Sequence, residues 1–180
     1  MKKIIILLAV TVSFYICKAQ TVYSFDVEPE NMTSDNYYIK DLNNEHDAII
    51  GTWKWEEGNS TFEITLQEFQ MYNYPENSTR YYDAIFGKYK YIENGNLIAE
   101  VNSIQPFPNS KLVFNFKSST EYSIVIKDMV SLKSMVGEFQ IISGNTATLN
   151  LWRSEGVRVN SPGDNGIEFS LPTSISLTKQ

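Results

Sequence analysis

One cysteine and one histidine stand in the whole 180-residue sequence, and both scarcities narrow the available chemistry. The cysteine, Cys17, falls in an amino-terminal stretch expected to be removed. The mature chain then has no thiol for a disulfide, a thiolate nucleophile or a zinc–cysteine site. With His46 as the only imidazole, no pair of histidines can share an ion, and neither a metal nor another cofactor is expected. Positive charge is also in short supply, with 15 Lys and Arg against 21 Asp and Glu. The resulting negative surplus repels phosphate backbones and anionic headgroups, which argues against nucleic acid and membrane-surface partners. Beyond residue 16 no apolar run approaches the roughly 20 residues a membrane helix needs.

The first nineteen residues have the layout of a secretory leader. Lys2 and Lys3 form a basic start, residues 4–16 an apolar stretch, and Lys18-Ala19 a site for cleavage before Gln20. A lipid-anchored cysteine needs a small residue before it, whereas Ile16 is bulky, so Cys17 is expected in the discarded peptide. An exported protein, periplasmic or secreted and monomeric, is the expectation. Losing Lys2, Lys3 and Lys18 removes three positive charges and takes the net from -6 to -9. Residues 20–47 are expected as an extended lead with one short helical turn, capped by Asn43 or Asn44. A single domain is expected over 48–180.

From Thr52 onward the hydrophobic period is two, the signature of strands. In "STFEITLQ" Phe62, Ile64 and Leu66 point one way. Phe69 and Met71 then continue on odd numbers, which predicts a bulge near Gln67 or Glu68. "ENGN" at 93–96 offers Asn94-Gly95 for a type I′ hairpin. Further inward faces are Leu112, Phe114 and Phe116; Tyr122, Ile124 and Ile126; Met135, Gly137, Phe139 and Ile141; and Ala147, Leu149 and Leu151. A hairpin turn at 143–145 and a last strand around Ile175 and Leu177 complete the set. Eight to ten short antiparallel strands joined by hairpins predict an all-β, up-and-down barrel, with Gly87 and Gly137 in mid-strand supporting closure.

Two features carry a resemblance. "GTWKW" at 51–55, after a helical turn, resembles the opening of lipocalin-like barrels, and "TEY" at 120–122 is similar to their Thr-Asp-Tyr motif. The resemblance implies that Trp53 plugs the closed end under a basic side chain from the last strands, for which Arg153 is the candidate. "YYIKDLNNEHDAIIGTWKW" at 37–55 and "FSLPTSISLTKQ" at 169–180 further resemble a family of short exported bacterial proteins. That family has no assigned function and implies no catalytic residues.

Candidate sites follow from residue type. His46 sits in a polar turn and is expected to face solvent or to cap. No serine stands in a nucleophile elbow. Glu56, Glu57, Glu63, Glu68, Asp83 and Glu100 offer carboxylate pairs of the kind a glycosidase uses, but spacing alone does not place them. The loop at 161–166 has a single acid and lacks a calcium pattern. Asn31, Asn59 and Asn77 stand in Asn-x-Ser/Thr triplets, which carry no glycan in a bacterial protein.

Tyrosine is what the sequence has in plenty. Tyr81, Asp83, Ile85, Gly87, Tyr89 and Tyr91 share one parity, and Tyr82, Ala84, Phe86, Lys88 and Lys90 the other. With the lysines outside, Tyr81, Asp83, Tyr89 and Tyr91 would line the interior and suit a small apolar or amphipathic ligand. The expected function is a non-catalytic exported barrel binding such a molecule. The rivals are a filled-core envelope or extracellular interaction protein acting through loops such as 154–166, and a small carbohydrate-processing enzyme. Small residues at Gly87, Gly137 and Ala147 decide between cavity and filled core.

Overall fold

The computed structural model describes residues 20–27, 32, 35–76, 78–153 and 169–180. The leader with Cys17, the loop at 154–166 with its 161–166 segment, Asn31 and Asn77 lie outside the described residues. Among the described residues eleven strands occur: β1 Thr21–Ser24, β2 Tyr37–Lys40, β3 Gly51–Glu57, β4 Ser60–Tyr72, β5 Arg80–Glu93, β6 Asn96–Val101, β7 Leu112–Ser118, β8 Glu121–Lys127, β9 Ser134–Ser143, β10 Thr146–Arg153 and β11 Ser174–Lys179. A 3₁₀ turn over Glu45–Ala48 precedes β3. Among the described residues no helix is long and apolar enough to cross a membrane.

Eight of these strands close on themselves. Pairing runs β5-β4-β3-β11-β10-β9-β8-β7, and β7 returns to β5 through Ile85 opposite Phe114 and Phe86 opposite Val113. Sequence neighbours are therefore spatial neighbours all round, with β6 an extra strand paired to β5, and this is the expected up-and-down barrel. The Asn94-Gly95 turn joins β5 to β6 with φ of 50° and 81°, the positive values that the asparagine-glycine pair makes cheap.

Alternation sets the interior as expected. Trp53, Phe62, Ile64, Tyr89, Leu112, Tyr122, Ile124, Ile126, Met135, Phe139, Ala147, Leu149 and Leu177 belong to one contiguous buried cluster. The small residues leave no room among them. A Cβ on Gly87 would stand 2.7 Å from the Leu66 and Leu112 methyls, and one on Gly137 would stand 2.1 Å from the Asn150 carbonyl oxygen. Ala147 is fully buried. At these positions bulky neighbours interdigitate over the small ones, which is a filled core and not the edge of a cavity.

Three expectations need correction. The barrel strands pair antiparallel as expected, but the lead adds to them: β1 and β2 are parallel to each other, and β2 pairs in parallel with Arg80 to Tyr82. The lead thus contributes two strands, and β4 and β5, at 13 and 14 residues, are longer than the short strands expected. Second, register between β4 and β5 is unbroken from Thr61 to Phe69, and the shift falls between Phe69 and Tyr72, where Met71 takes φ of 49°. Phe69 faces outward on the unslipped parity, because Phe86 and its neighbours cover it there. Third, the turn at Glu45–Ala48 is capped by Asp41, whose carboxylate accepts from the Glu45 and His46 N–H groups at 2.8 Å each. Asn44 supplies only its left-handed backbone.

Candidate functional site

The basic side chain over Trp53 is not the expected Arg153. Trp53 is fully buried, donates its indole N–H to the Ile49 carbonyl at 2.7 Å and meets Phe139 edge-on at 5.1 Å. Over its ring, at 5.6 Å, lies Lys179 from β11. That ammonium also donates to the carbonyls of Asp47 and Ala48, at 3.0 and 2.8 Å. Burial depresses its pKa, against the opposing pull of Asp47. Arg153 instead sits over Phe169 at 5.8 Å. The register explains the exchange, because Lys179 is the residue directly opposite Trp53.

The four residues expected to line a ligand cavity do not come together. Asp83 is buried at the start of the barrel section of β5. It accepts from the Tyr38 hydroxyl, from Asp41 N at 2.9 Å and from Met71 N at 3.1 Å, and so ties the lead to the end of β4. Tyr89 donates to the Lys127 carbonyl at 2.7 Å and accepts from Met129 N at 3.1 Å. Tyr91 donates to Glu93 at 3.0 Å. Burial pushes the hydroxyls of Tyr89 and Tyr91 up to about 12. Tyr81 is only half-buried. Parity was right for the faces, but Tyr89 and Tyr91 are structural groups with partners of their own.

These partnerships set an expected outcome. Tyr89→Phe leaves a partly buried carbonyl without a donor and an N–H without an acceptor, at a cost of about 1–2 kcal/mol. Tyr91→Phe costs less, about 0.5–1 kcal/mol, since Glu93 is exposed and rehydrates. Urea denaturation checks both. A Tyr89→Phe protein of unchanged stability would count against the structural role.

A cleft of about 360 Å³ lies at the forked edge of β5, and of Tyr81, Asp83, Tyr89 and Tyr91 only Asp83 lines it. Its position follows from how β5 shares one edge. Tyr37 to Ile39 of β2 occupy Arg80 to Tyr82, and β7 takes Ile85 and Phe86, so the two partners part company at Asp83 and Ala84. The fork opens a wedge, and aromatic rings line it. In one group Phe86 meets Tyr72 at 5.1 Å and Phe107 at 5.4 Å, and Phe107 meets Tyr74 at 5.4 Å. In the other, Phe25 stacks on Phe116 at 4.9 Å and meets the His46 ring at a tilt, at 4.7 Å. Tyr74 and Phe107 remain 44% and 42% exposed, large apolar surface left at the rim of a concavity.

His46 lines this cleft and is buried, which corrects the solvent-facing expectation. Its Nδ1 lies 2.7 Å from Glu68 Oε1 and 4.0 Å from Asp41 Oδ2. Asp41, His46 and Glu68 are the trio among the described residues that most nearly resembles a metal site, with one donor atom each inside 4.8 Å. A separation of 2.7 Å is that of a shared proton, however. Two donors on one ion, each at about 2.0–2.2 Å, stand farther apart than that. Both Asp41 oxygens are also already accepting backbone N–H groups. The trio as built is a hydrogen-bonded cluster.

The other candidate carboxylates do not converge on this cleft. Glu63 and Glu100 flank Lys90 across three strands, an outward charge ladder, and Glu56 pairs with Lys54. Sequence reasoning missed the cleft residues Phe25, Ile39, Phe107, Val113 and Asn115. The one signal for them was an aromatic on the lysine parity of β5, Phe86, which needs a cover.

Fold and cleft together define the class, a closed eight-stranded β-barrel with interdigitated core residues and an aromatic groove on its flank. No curated protein and no solved structure matches this chain. The chain belongs to a family of unknown function, DUF6705, whose model matches residues 1–180. The resemblance to a family without an assigned activity is thereby borne out.

Proposed function

We propose that this protein is an exported, non-catalytic binding module that takes a small, ring-bearing amphipathic molecule in the flank cleft. The observation that carries this reading is the pair of exposed rings, Tyr74 and Phe107, at the mouth of a 360 Å³ concavity with aromatic walls. Ligand sites are concave, mostly apolar and sparingly polar, and this one combines aromatic walls with one carboxylate and one imidazole. The filled positions at Gly87 and Gly137 argue against the barrel interior as the ligand's place.

The same filled core also favours the second reading, an envelope or extracellular interaction protein working through its loops. Native mass spectrometry on the processed protein, purified gently after export, separates the two. A bound small molecule is expected on the parent protein and on Tyr89→Phe. On the double variant Tyr74→Ser, Phe107→Ser its occupancy should fall at least ten-fold. A bare parent protein, or a ligand indifferent to the rim variant, would move the function to the loops.

A further inference from the structure

Resting on the cleft reading, we infer that the occupant is a small amine bound in its cationic form, its ring among the aromatics and its N–H groups toward His46 and Asp83. The polarity of the lining points there. No Lys or Arg lines the cleft among the described residues, while Asp83 does. Glu68 and Asp41 stand behind His46. The Arg80 guanidinium is turned onto the Tyr37 ring at 5.5 Å and toward Asp35 at 3.9 Å. An anion in this wedge would meet carboxylates with no counter-charge, and a cation would meet the reverse.

Hydrogen-bonding capacity agrees with charge. The Glu68 carboxylate accepts from His46 Nδ1–H, and in the neutral ring this makes Nε2 the acceptor. Among the described residues no hydrogen bond reaches Nε2, and the atom is not sealed from solvent. Asp83 receives three hydrogen bonds, and a carboxylate has about four acceptor sites. Two acceptors with unused capacity call for a ligand rich in donors, which an ammonium is. The ring faces of Tyr72, Tyr74, Phe86 and Phe107 add cation–π attraction, which strengthens when the charge is desolvated.

Three ring-matched probes test the inference on the processed chain: tryptamine, indole-3-ethanol and indole-3-propionate, titrated by NMR with the cleft resonances followed. Tryptamine should bind at least ten-fold more tightly than the alcohol, and the propionate should not bind. Glu68→Gln, at a partly exposed position, should shrink the amine preference several-fold while circular dichroism stays unchanged. Equal binding of amine and alcohol, or a preference for the propionate, overturns the amine and leaves the cleft reading intact. Failure of all three probes to shift any cleft resonance, or binding that survives the Tyr74→Ser, Phe107→Ser variant, overturns both.

Discussion

Trp53→Ala will lower the free energy of unfolding by about 3–5 kcal/mol, the range for deleting a buried large aromatic. The side chain is fully buried. Its removal opens a void beside Phe139 and leaves the Ile49 carbonyl without its donor. The surroundings cannot collapse freely, because the turn above is fastened at several other points. Tyr122 donates to the Glu45 carbonyl at 2.9 Å, and Lys179 holds those of Asp47 and Ala48.

Against a typical total of 5–15 kcal/mol, such a loss takes the protein near its unfolding threshold. Trp53→Phe separates the components. It keeps most of the apolar volume, loses the N–H, and should cost about 1–3 kcal/mol. Urea denaturation measures both, and a loss below about 1 kcal/mol for the alanine variant would refute the plug. The turn also carries His46, so ligand affinity at the cleft should weaken in Trp53→Ala even under conditions where the protein remains folded.

The second large effect is expected at the opposite end of the barrel. Asp128, fully buried, is the acceptor for a whole turn. Its Oδ1 accepts from Val130 N at 2.8 Å, Ser131 N at 3.3 Å and the Ser170 hydroxyl at 2.7 Å, and its Oδ2 accepts from Ser170 N at 2.6 Å. These bonds pin the segment before β11 to the β8–β9 connection. Burial by itself raises the carboxyl pKa, but the hydrogen bonds from Ser170, Val130 and Ser131 outweigh it and hold the group below its ordinary value of 3.8.

Asp128→Asn is nearly isosteric and turns one acceptor oxygen into a donor facing donors. It should cost about 2–4 kcal/mol at pH 7, since hydrogen bonds to a charged group are worth about 1.5–3 kcal/mol each and are not additive. The sign of the pH dependence follows from the depressed value. The carboxylate's contribution is complete above the unfolded pKa and is lost as pH falls through the lower folded one. Parent and variant stabilities should therefore converge below about pH 4 and stay parallel from pH 5 to 7. A gap that persists unchanged at pH 3 would show that the packing of the turn, and not its charge, holds this end.

Particular residues show how far the sequence reaches. The inner faces of β5 and β7 to β10 were legible because a strand's side chains alternate, whatever the strand is packed against. The Asn94-Gly95 turn was legible because few residue pairs tolerate two positive φ values. Phe69 misled for a related reason: alternation reports a change of face, and an apolar side chain on the outer face looks like a slip unless its cover is known. The cover is Phe86 and, beyond it, Phe107, from a different loop.

The basic partner of Trp53 depended on which strand closes the barrel against β3. Both Arg153 and Lys179 lie near strand ends in sequence, and only the β11–β3 register selects Lys179.

The sequence alone determined the period-two strands, their hairpin order and hence a closed sheet, all of which are encoded within a few neighbouring residues. Only the tertiary structure decided that β2 joins β5 in parallel, that Tyr89 and Tyr91 are internally satisfied, and that the open concavity lies on the flank. That cleft gathers Phe25, His46, Tyr74, Phe86, Phe107 and Phe116. The physical reason is that their proximity follows from long-range pairing at the fork in β5, and alternation along one strand carries no record of which distant strand will lie beside it.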